Sequence, residues 1–304
     1  MKEIKSPLIY PGSKGSVIHE LLPLFPDSFI EYREPFMGSC SIFLAARQKY
    51  GDNKKYWIND LNYELYNFFL MCQKEVGSVI KQIIKWRNEY VDKHNGGKEL
   101  FYELKRKLNV FNSIELAAAY YILNRSAFSG GSLVSGFSKD HFENTFTEDR
   151  IKDLYQLKSL LQGVRITNLD YEQLVISPVI NNDNEKNKNE KNCNEEIFVM
   201  LDPPYAAATD SGLYGKGGGK WRNLHRTFDH ERFANLMKEC KYNWLVTYDD
   251  SPGIRRLFSF ANQRSWSFTH KMRKDRVGKE LLVSNFALKD EVKTIQKDIV
   301  SSWS

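Results

Sequence analysis

Ile197-Phe198-Val199-Met200-Leu201-Asp202-Pro203-Pro204-Tyr205 is the stretch from which the fold of this chain can be read. Its five consecutive apolar residues, with charge before them and a proline pair after, predict a buried strand of a parallel sheet. Ligands of open α/β sheets gather at the carboxyl ends of such strands, where Asp202 stands. Pro203 and Pro204 fix the backbone that follows and offer no N–H, so their carbonyls face the ligand as bare acceptors. Such a lip suits an exocyclic amino group on a flat heterocycle, whose lone pair is delocalised into the ring. If the Asp202 carboxylate and the Pro203 carbonyl each accept one N–H, the nitrogen is drawn toward a tetrahedral shape. Its lone pair is then freed for an electrophile, while Tyr205 stacks on the ring. The catalysis expected is positioning and electrostatic preorganisation, with no covalent intermediate. A plain turn after any strand could carry the same residues, so other segments must support the reading.

Toward the N-terminus, Phe29 to Leu44 reads as a strand, a small-residue turn (Glu34-Pro35-Phe36-Met37-Gly38-Ser39-Cys40) and a helix. Such a turn lets a cofactor approach the backbone closely. Tyr56-Trp57-Ile58 ends in Asn59-Asp60, which places a carboxylate where it can bond the two hydroxyls of a ribose; the plainer alternative is a helix N-cap. Pro7 to Gly15 is a glycine-flanked turn that puts Lys14 ahead of a helical pattern (Val17, Ile18, Leu21, Leu22, Leu24), where an anion or carboxylate can bind. The spacing of a P-loop is missing, and a solvated turn lysine is the bland alternative. In this order the segments outline a nucleoside-cofactor pocket.

Residues 65–123 read as helical, interrupted at Gly96-Gly97, which predicts a helix–helix turn there. Residues 124–139, opening Asn124-Arg125-Ser126-Ala127-Phe128-Ser129, break every periodicity and are rich in Gly and Ser. A loop of this length is often functional, and this one combines polar readers with a candidate aromatic wedge, Phe128. Val164 to Thr167 predicts another strand, followed by the acid Asp170. Residues 181–195 are low-complexity, with no apolar residue apart from Cys193, and predict a dispensable surface insertion. Beyond the central strand come a Gly/Lys-rich stretch at 212–220, a helix capped by Asp229, a strand at Trp244 to Tyr248, and a terminal strand pair. Between the last two strands lies a basic run containing Lys271 and Arg273, which suits backbone phosphates.

The 304 residues, 41% of them hydrophobic, suffice for one large α/β domain with an insert. The net charge of +6, from 44 basic and 38 acidic residues, permits a polyanionic partner without demanding one. Cys40, Cys72, Cys193 and Cys240 lack Cys-x-x-Cys spacing, so neither a zinc site nor a disulfide framework is expected, and metal ligands are expected to be none. No apolar run approaches membrane-spanning length and no signal core opens the chain, so a soluble, cytoplasmic protein is expected.

Taken together, Tyr10 with Lys14, Glu34 to Ser39, Asp60, and Asp202 to Tyr205 stand in the order of the Dam-type (D12 class, group alpha) DNA adenine-N6 methyltransferases, which the chain resembles over nearly its whole length. The resemblance implies a Rossmann-like α/β sheet of seven strands, one antiparallel, with an inserted helical target-recognition subdomain. It divides the chain into a catalytic domain (residues 1–64 and 160–304) and a recognition subdomain (65–159). It implies S-adenosylmethionine as methyl donor and no metal, with Tyr10, Lys14, Phe36, Gly38, Asp60, Asp170 and Asp202 around the donor. Catalysis falls to Asp202, Pro203, Pro204 and Tyr205, acting on an adenine swung out of double-stranded DNA. Asn124, Arg125, Phe128, Ser129, Lys271 and Arg273 are the expected DNA contacts. A cognate restriction endonuclease and nucleoid association through DNA belong to the same picture. Two departures stand out. Cys40 replaces the second glycine of Phe-x-Gly-x-Gly, which brings a side chain to where backbone would abut the donor. The loop after Arg125 lacks the Tyr-Asn-Gly and basic pattern of GATC-reading members. Cytosine-N4 methylation, and a catalytically silent DNA-binding regulator of the same fold, are the alternatives.

Overall fold

In the computed structural model, residues 4–10, 12–90, 93–128, 135–178, 196–205, 228–269 and 277–289 are described. The central strand forms as its composition dictates: β4 (Ile197–Leu201) is buried at every position. It lies between β1 (Glu31–Glu34) and β5 (Asn243–Asp249), parallel to both. With β2 (Lys55–Asn59), β3 (Arg165–Thr167), β6 (Asn262–Thr269) and β7 (Val277–Ser284) the sheet has seven strands in the order β3-β2-β1-β4-β5-β7-β6. β7 runs antiparallel to both β5 and β6, so it is the one reversed strand. The chain changes direction of build between β1 and β4, and at such a switch point the carboxyl ends of neighbouring strands open a crevice.

Alternation along β4 divides the core. Phe198 and Met200 join one apolar cluster, while Ile197, Val199 and Leu201 join the other. The first cluster also takes in the helices between β2 and β3: α3 (Tyr63–Lys74), α4 (Val76–Tyr90), α5 (Gly96–Lys107), α6 (Ser113–Ser126), α7 (Lys139–Thr145), α8 (Glu148–Lys152) and α9 (Tyr155–Leu161). The helical insert and that face of the sheet therefore share one continuous core. α6 is its centre, buried from Leu116 to Ser126.

Two local expectations are corrected here. Gly96 and Gly97 are not the turn between helices but the first residues of α5, after Asn95 in the left-handed conformation. Close packing explains both: a Cβ on Gly96 would lie 1.8 Å from the Tyr90 carbonyl oxygen, and one on Gly97 would lie 2.7 Å from the Phe142 ring. Asn124 and Arg125 belong to α6 and not to a loop, because the helix is buried on all sides there. The loop proper starts at Ala127. Its base is zipped by backbone bonds from Ser138 to Ser126 and from Phe128 to Gly136, 2.8 and 3.1 Å long. Residues 181–195 and the Gly/Lys-rich stretch at 212–220 lie outside the described residues.

Candidate active site

The site grows from the ends of β1, β2 and β4, joined by the N-terminal segment. After β1, Glu34-Pro35-Phe36-Met37 leads into Gly38 at φ +46° and Cys40 at φ +64°, and α2 (Ser41–Tyr50) follows. A Cβ on Gly38 would sit 3.4 Å from the Tyr10 ring, so glycine permits both the backbone turn and the approach of the aromatic. Cys40 keeps the left-handed backbone, which costs a non-glycine residue about 1–2 kcal/mol. Its side chain is fully buried in the core cluster and does not line the cleft, contrary to the intrusion expected from the sequence.

Asp60 follows β2. It is no N-cap: that position belongs to Asn62, whose side chain accepts from Leu65 N. The Asp60 carboxylate instead accepts from Gly38 N at 3.0 Å and from Asn62 N at 2.9 Å. Burial pushes its carboxyl up to about 6 despite those two bonds. Tyr10, Phe36, Asp60 and Pro204 line two adjoining cavities, of about 720 and 990 Å³ counted out to open solvent. The first continues along Lys14, Glu34, Gly38, Asp202, Pro203 and Tyr205. The second continues along Leu61, Asp170, Tyr171, Phe228 and Arg232. Asp170 caps α10 (Tyr171–Ile176) through Glu172 N, and its half-exposed carboxylate lies 3.7 Å from Arg232. Phe36 packs on Tyr171, Phe228 and Phe233.

Asp202 is held by more groups than the sequence revealed. Strand alternation puts Asp202, Thr247 of β5 and Glu280 of β7 on the sheet face that Lys14 approaches from the N-terminal segment. Lys14, almost wholly buried, donates to both Asp202 carboxylate oxygens at 2.9 Å and to Gly12 O at 3.1 Å. Thr247 Oγ1 donates to Asp202 Oδ1 at 2.6 Å, and the Tyr205 hydroxyl to the same oxygen at 3.2 Å. Glu280 Oε1 lies 3.7 Å from Lys14 Nζ. Burial alone would lower the Lys14 ammonium, but the carboxylates of Asp202 and Glu280 outweigh it and hold the ammonium above its ordinary value. The Tyr205 ring stacks on Tyr248 at 5.8 Å and receives Lys14 Nζ at 5.0 Å. Lys14 is thus a buried partner of Asp202, and the solvated-turn alternative is excluded.

The structure draws Tyr10, Lys14, Phe36, Gly38, Asp60, Asp202, Pro203, Pro204 and Tyr205 around one cleft, with Asp170 on its extension. It does not bring the expected DNA contacts there. Asn124 is fully buried: its side chain accepts from Ile9 N at 2.9 Å and donates to Ile9 O at 2.8 Å. Its amide oxygen and nitrogen are both engaged by the backbone next to Tyr10. Arg125 is 8% exposed at the end of α6, packed inside the helical insert and too buried to serve as a surface contact. Phe128, by contrast, is 59% exposed. Ser129, Lys271 and Arg273 lie outside the described residues. Thr247 and Glu280 are the functional candidates that sequence reasoning passed over, since only the strand register brings them to Asp202.

A family model described as D12 class N6 adenine-specific DNA methyltransferase matches residues 10–274. Modification methylase StsI of Streptococcus sanguinis is 27% identical over 232 residues, 73% of this chain and 32% of that protein. Type II methyltransferase M.MjaIII of Methanocaldococcus jannaschii is 23% identical over 220 residues, 67% of this chain and 70% of its own. A DNA adenine methylase of Vibrio cholerae is 27% identical over 135 residues, 43% of this chain and 44% of its own. The chain therefore spans about a third of the first of these relatives and under half of the third.

Proposed function

The chain belongs to the D12 class N6 adenine-specific DNA methyltransferase family, and on that premise we propose that it methylates N6 of adenine in double-stranded DNA, with S-adenosylmethionine as donor. One observation carries the reading: Asp202, Pro203, Pro204 and Tyr205 line the same cleft as Asp60, Gly38 and Phe36. The family implies that donor, and the residues fit it. Gly38 leaves room for close approach, Asp60 offers a carboxylate for ribose hydroxyls, and Phe36 with Asp170 bounds the second cavity, where an adenine ring would lie. Bound there, the donor supplies an electrophilic methyl group on a sulfonium.

The chain's own residues prepare the acceptor. Asp202 and the Pro203 carbonyl accept the two N–H groups of the target amine, which localises the nitrogen lone pair. Thr247 and Tyr205 fix Asp202 Oδ1, which leaves Oδ2 with Lys14 as its sole donor among the described residues. With the donor bound, the freed lone pair would be aimed at its methyl carbon opposite the sulfur, and the methylated amine would release one proton to solvent to restore a neutral base. A base stacked in a duplex cannot reach such a cleft, so the target adenine leaves the helix. Phe128, projecting from the helical insert, is the candidate wedge for that step. In this reading residues 65–159 serve recognition and the rest of the chain serves catalysis. A modification role is supported by the names of two relatives, modification methylase and type II methyltransferase; a partner restriction endonuclease and a place in the cytoplasm at the nucleoid belong to the same proposal. No helix among the described residues is long and apolar enough to cross a membrane.

Sequencing of modified bases in DNA from cells expressing this chain tests the proposal. N6-methyladenine at one short motif is the expected result. N4-methylcytosine, or unmodified DNA from cells that contain the folded protein, would overturn it.

A further inference from the structure

We propose that Glu280 is a positioning residue, the alternate seat of the Lys14 ammonium, which by drawing Lys14 from Asp202 frees Oδ2 to accept the target amine. The inference rests on the methyl-transfer reading and deepens it. Its motive is a conflict in the site as it stands. Asp202 Oδ1 already accepts three donors, from Lys14, Thr247 and Tyr205, and Oδ2 accepts Lys14 at 2.9 Å. An amine N–H seeking the same carboxylate competes with a buried ammonium. That ammonium cannot simply be expelled, because Lys14 is enclosed by protein and an unpaired buried charge is heavily penalised.

Glu280 resolves the conflict. Its Oε1 stands 3.7 Å from Lys14 Nζ, longer than the ~2.8 Å of a formed charge-assisted bond. Its Oε2 is buried with no hydrogen-bond partner among the described residues. A buried carboxylate oxygen without a donor, beside an ammonium that holds another carboxylate, is a second seat not yet taken. Lys14 comes from the N-terminal segment, and Asp202 and Tyr205 come from the end of β4, the Tyr205 hydroxyl facing Glu280 as well as Asp202. The register partners of Glu280 are Asp249 on β5 and Trp266 on β6, and Trp266 Nε1 is already committed to Glu20. Among the described residues, Lys14 is thus the cation Glu280 can capture.

The seat attracts Lys14 only when Glu280 is ionised. Burial pushes its carboxyl up to about 7, with Lys14 pulling the other way and Asp202 adding to the rise. Below that pH a neutral Glu280 leaves Lys14 on Asp202, and above it the ammonium is shared. The chemical step should therefore rise with pH through about 7 and then level.

The test is single-turnover methyl transfer by the full chain on duplex DNA across pH, together with Glu280→Gln, a neutral isostere. Wild type should show a rising limb near 7. Glu280→Gln should lose about 10- to 100-fold in rate on the plateau and lose the limb, while donor affinity by calorimetry stays within about threefold. Glu280→Asp, which keeps the charge, should restore the limb in part. Independently of turnover, carbon-13 NMR of the free protein should show a glutamate carboxyl titrating near 7 that is absent from Glu280→Gln. An unchanged limb and rate in Glu280→Gln would overturn the proposal. Should that variant fail to fold, a wild-type rate that is flat across this range, or a spectrum without such a carboxyl, overturns it as well. Wild-type protein that methylates no adenine in any duplex would instead sink the methyl-transfer reading on which this proposal stands.

Discussion

At Asp60 a single carboxyl group carries two opposing consequences. In the proposed function it is a charged acceptor for ribose hydroxyls only when ionised, and burial pushes it up to about 6. Donor affinity, measured by calorimetry, is expected to be constant above that pH and to weaken about tenfold per unit below it; Asp60→Asn should bind weakly at every pH. The sign for stability is the reverse. The native state keeps this proton from the ordinary carboxylate range up to about 6, while the unfolded chain has already released it. Asp60 therefore costs stability as pH rises through that window, and the cost is complete above it. Asp60→Asn should melt higher than wild type at neutral pH even as it loses the donor. For Asp202→Ala the expected loss of methyl transfer is ~10²–10³ or more, with the fold retained because Glu280 still accompanies Lys14; near wild-type turnover of labelled donor would displace Asp202 from its role. Asp202, Asp60 and Lys14 were legible because each stands in a local pattern, at a strand end or in a turn. Glu280 and Thr247 were not, because their meeting with Asp202 depends on a register set after the sheet is assembled. The burial of Asn124 is hidden for a related reason: nothing near it in sequence announces its pairing with Ile9, 115 residues away.

Among the elements, β1 shows how a strand of polar letters can be a core strand. Glu31-Tyr32-Arg33-Glu34 is buried throughout, since each polar group meets a fixed partner. Arg33 donates to Glu31 at 2.6 Å and to the carbonyls of Leu174, Ser177 and Pro178 at 2.5 to 2.7 Å, closing the end of α10. Its guanidinium lies between the rings of Trp57 and Tyr242, 5.2 and 5.3 Å from their centres. Arg33→Ala removes the cation from a buried pair and should cost about 3–5 kcal/mol, read as a lowered denaturation midpoint. Arg33→Lys should rescue little, lacking the planar fork. The hairpin-like base at Ser126 to Ser138 carries the other expectation at this scale. Phe128→Ala should spare melting temperature, since the ring is mostly exposed, and spare donor affinity. It should slow methylation of paired duplex more than of duplex in which the target adenine is mispaired, because unstacking costs a few kcal/mol that a wedge offsets. Equal impairment on both substrates, with a fall in melting temperature, would make Phe128 a packing residue. The helices themselves were readable from their periodicity; where α6 ends was not, because its burial on all sides comes from neighbours the local pattern does not contain.

Over the whole molecule, the rhythm of strands and helices disclosed an α/β sheet, and the apolar run at 197–201 its centre. The reversed strand β7 followed only from family resemblance, since no local pattern tells a strand which way to run. Nor did composition reveal that the helical insert shares its core with one sheet face, so that neither part is wrapped without the other. Through that shared core runs α6, and the bonds of Asn124 to Ile9 fasten its last turn to the backbone beside Tyr10. Four positions further along stands Phe128. Under the proposed function, one helix end is therefore a strut common to the cleft assigned to the donor and the surface assigned to DNA. In the language of linkage, ordering this strut for one ligand reduces what the other must still order, and the coupling is reciprocal. Duplex DNA should tighten the donor by the same factor as a donor analogue tightens DNA, typically 5- to 150-fold. Asn124→Ala should bring that factor toward unity, so calorimetry of each ligand with and without the other would show binding that is ordered in the wild type and independent in the variant.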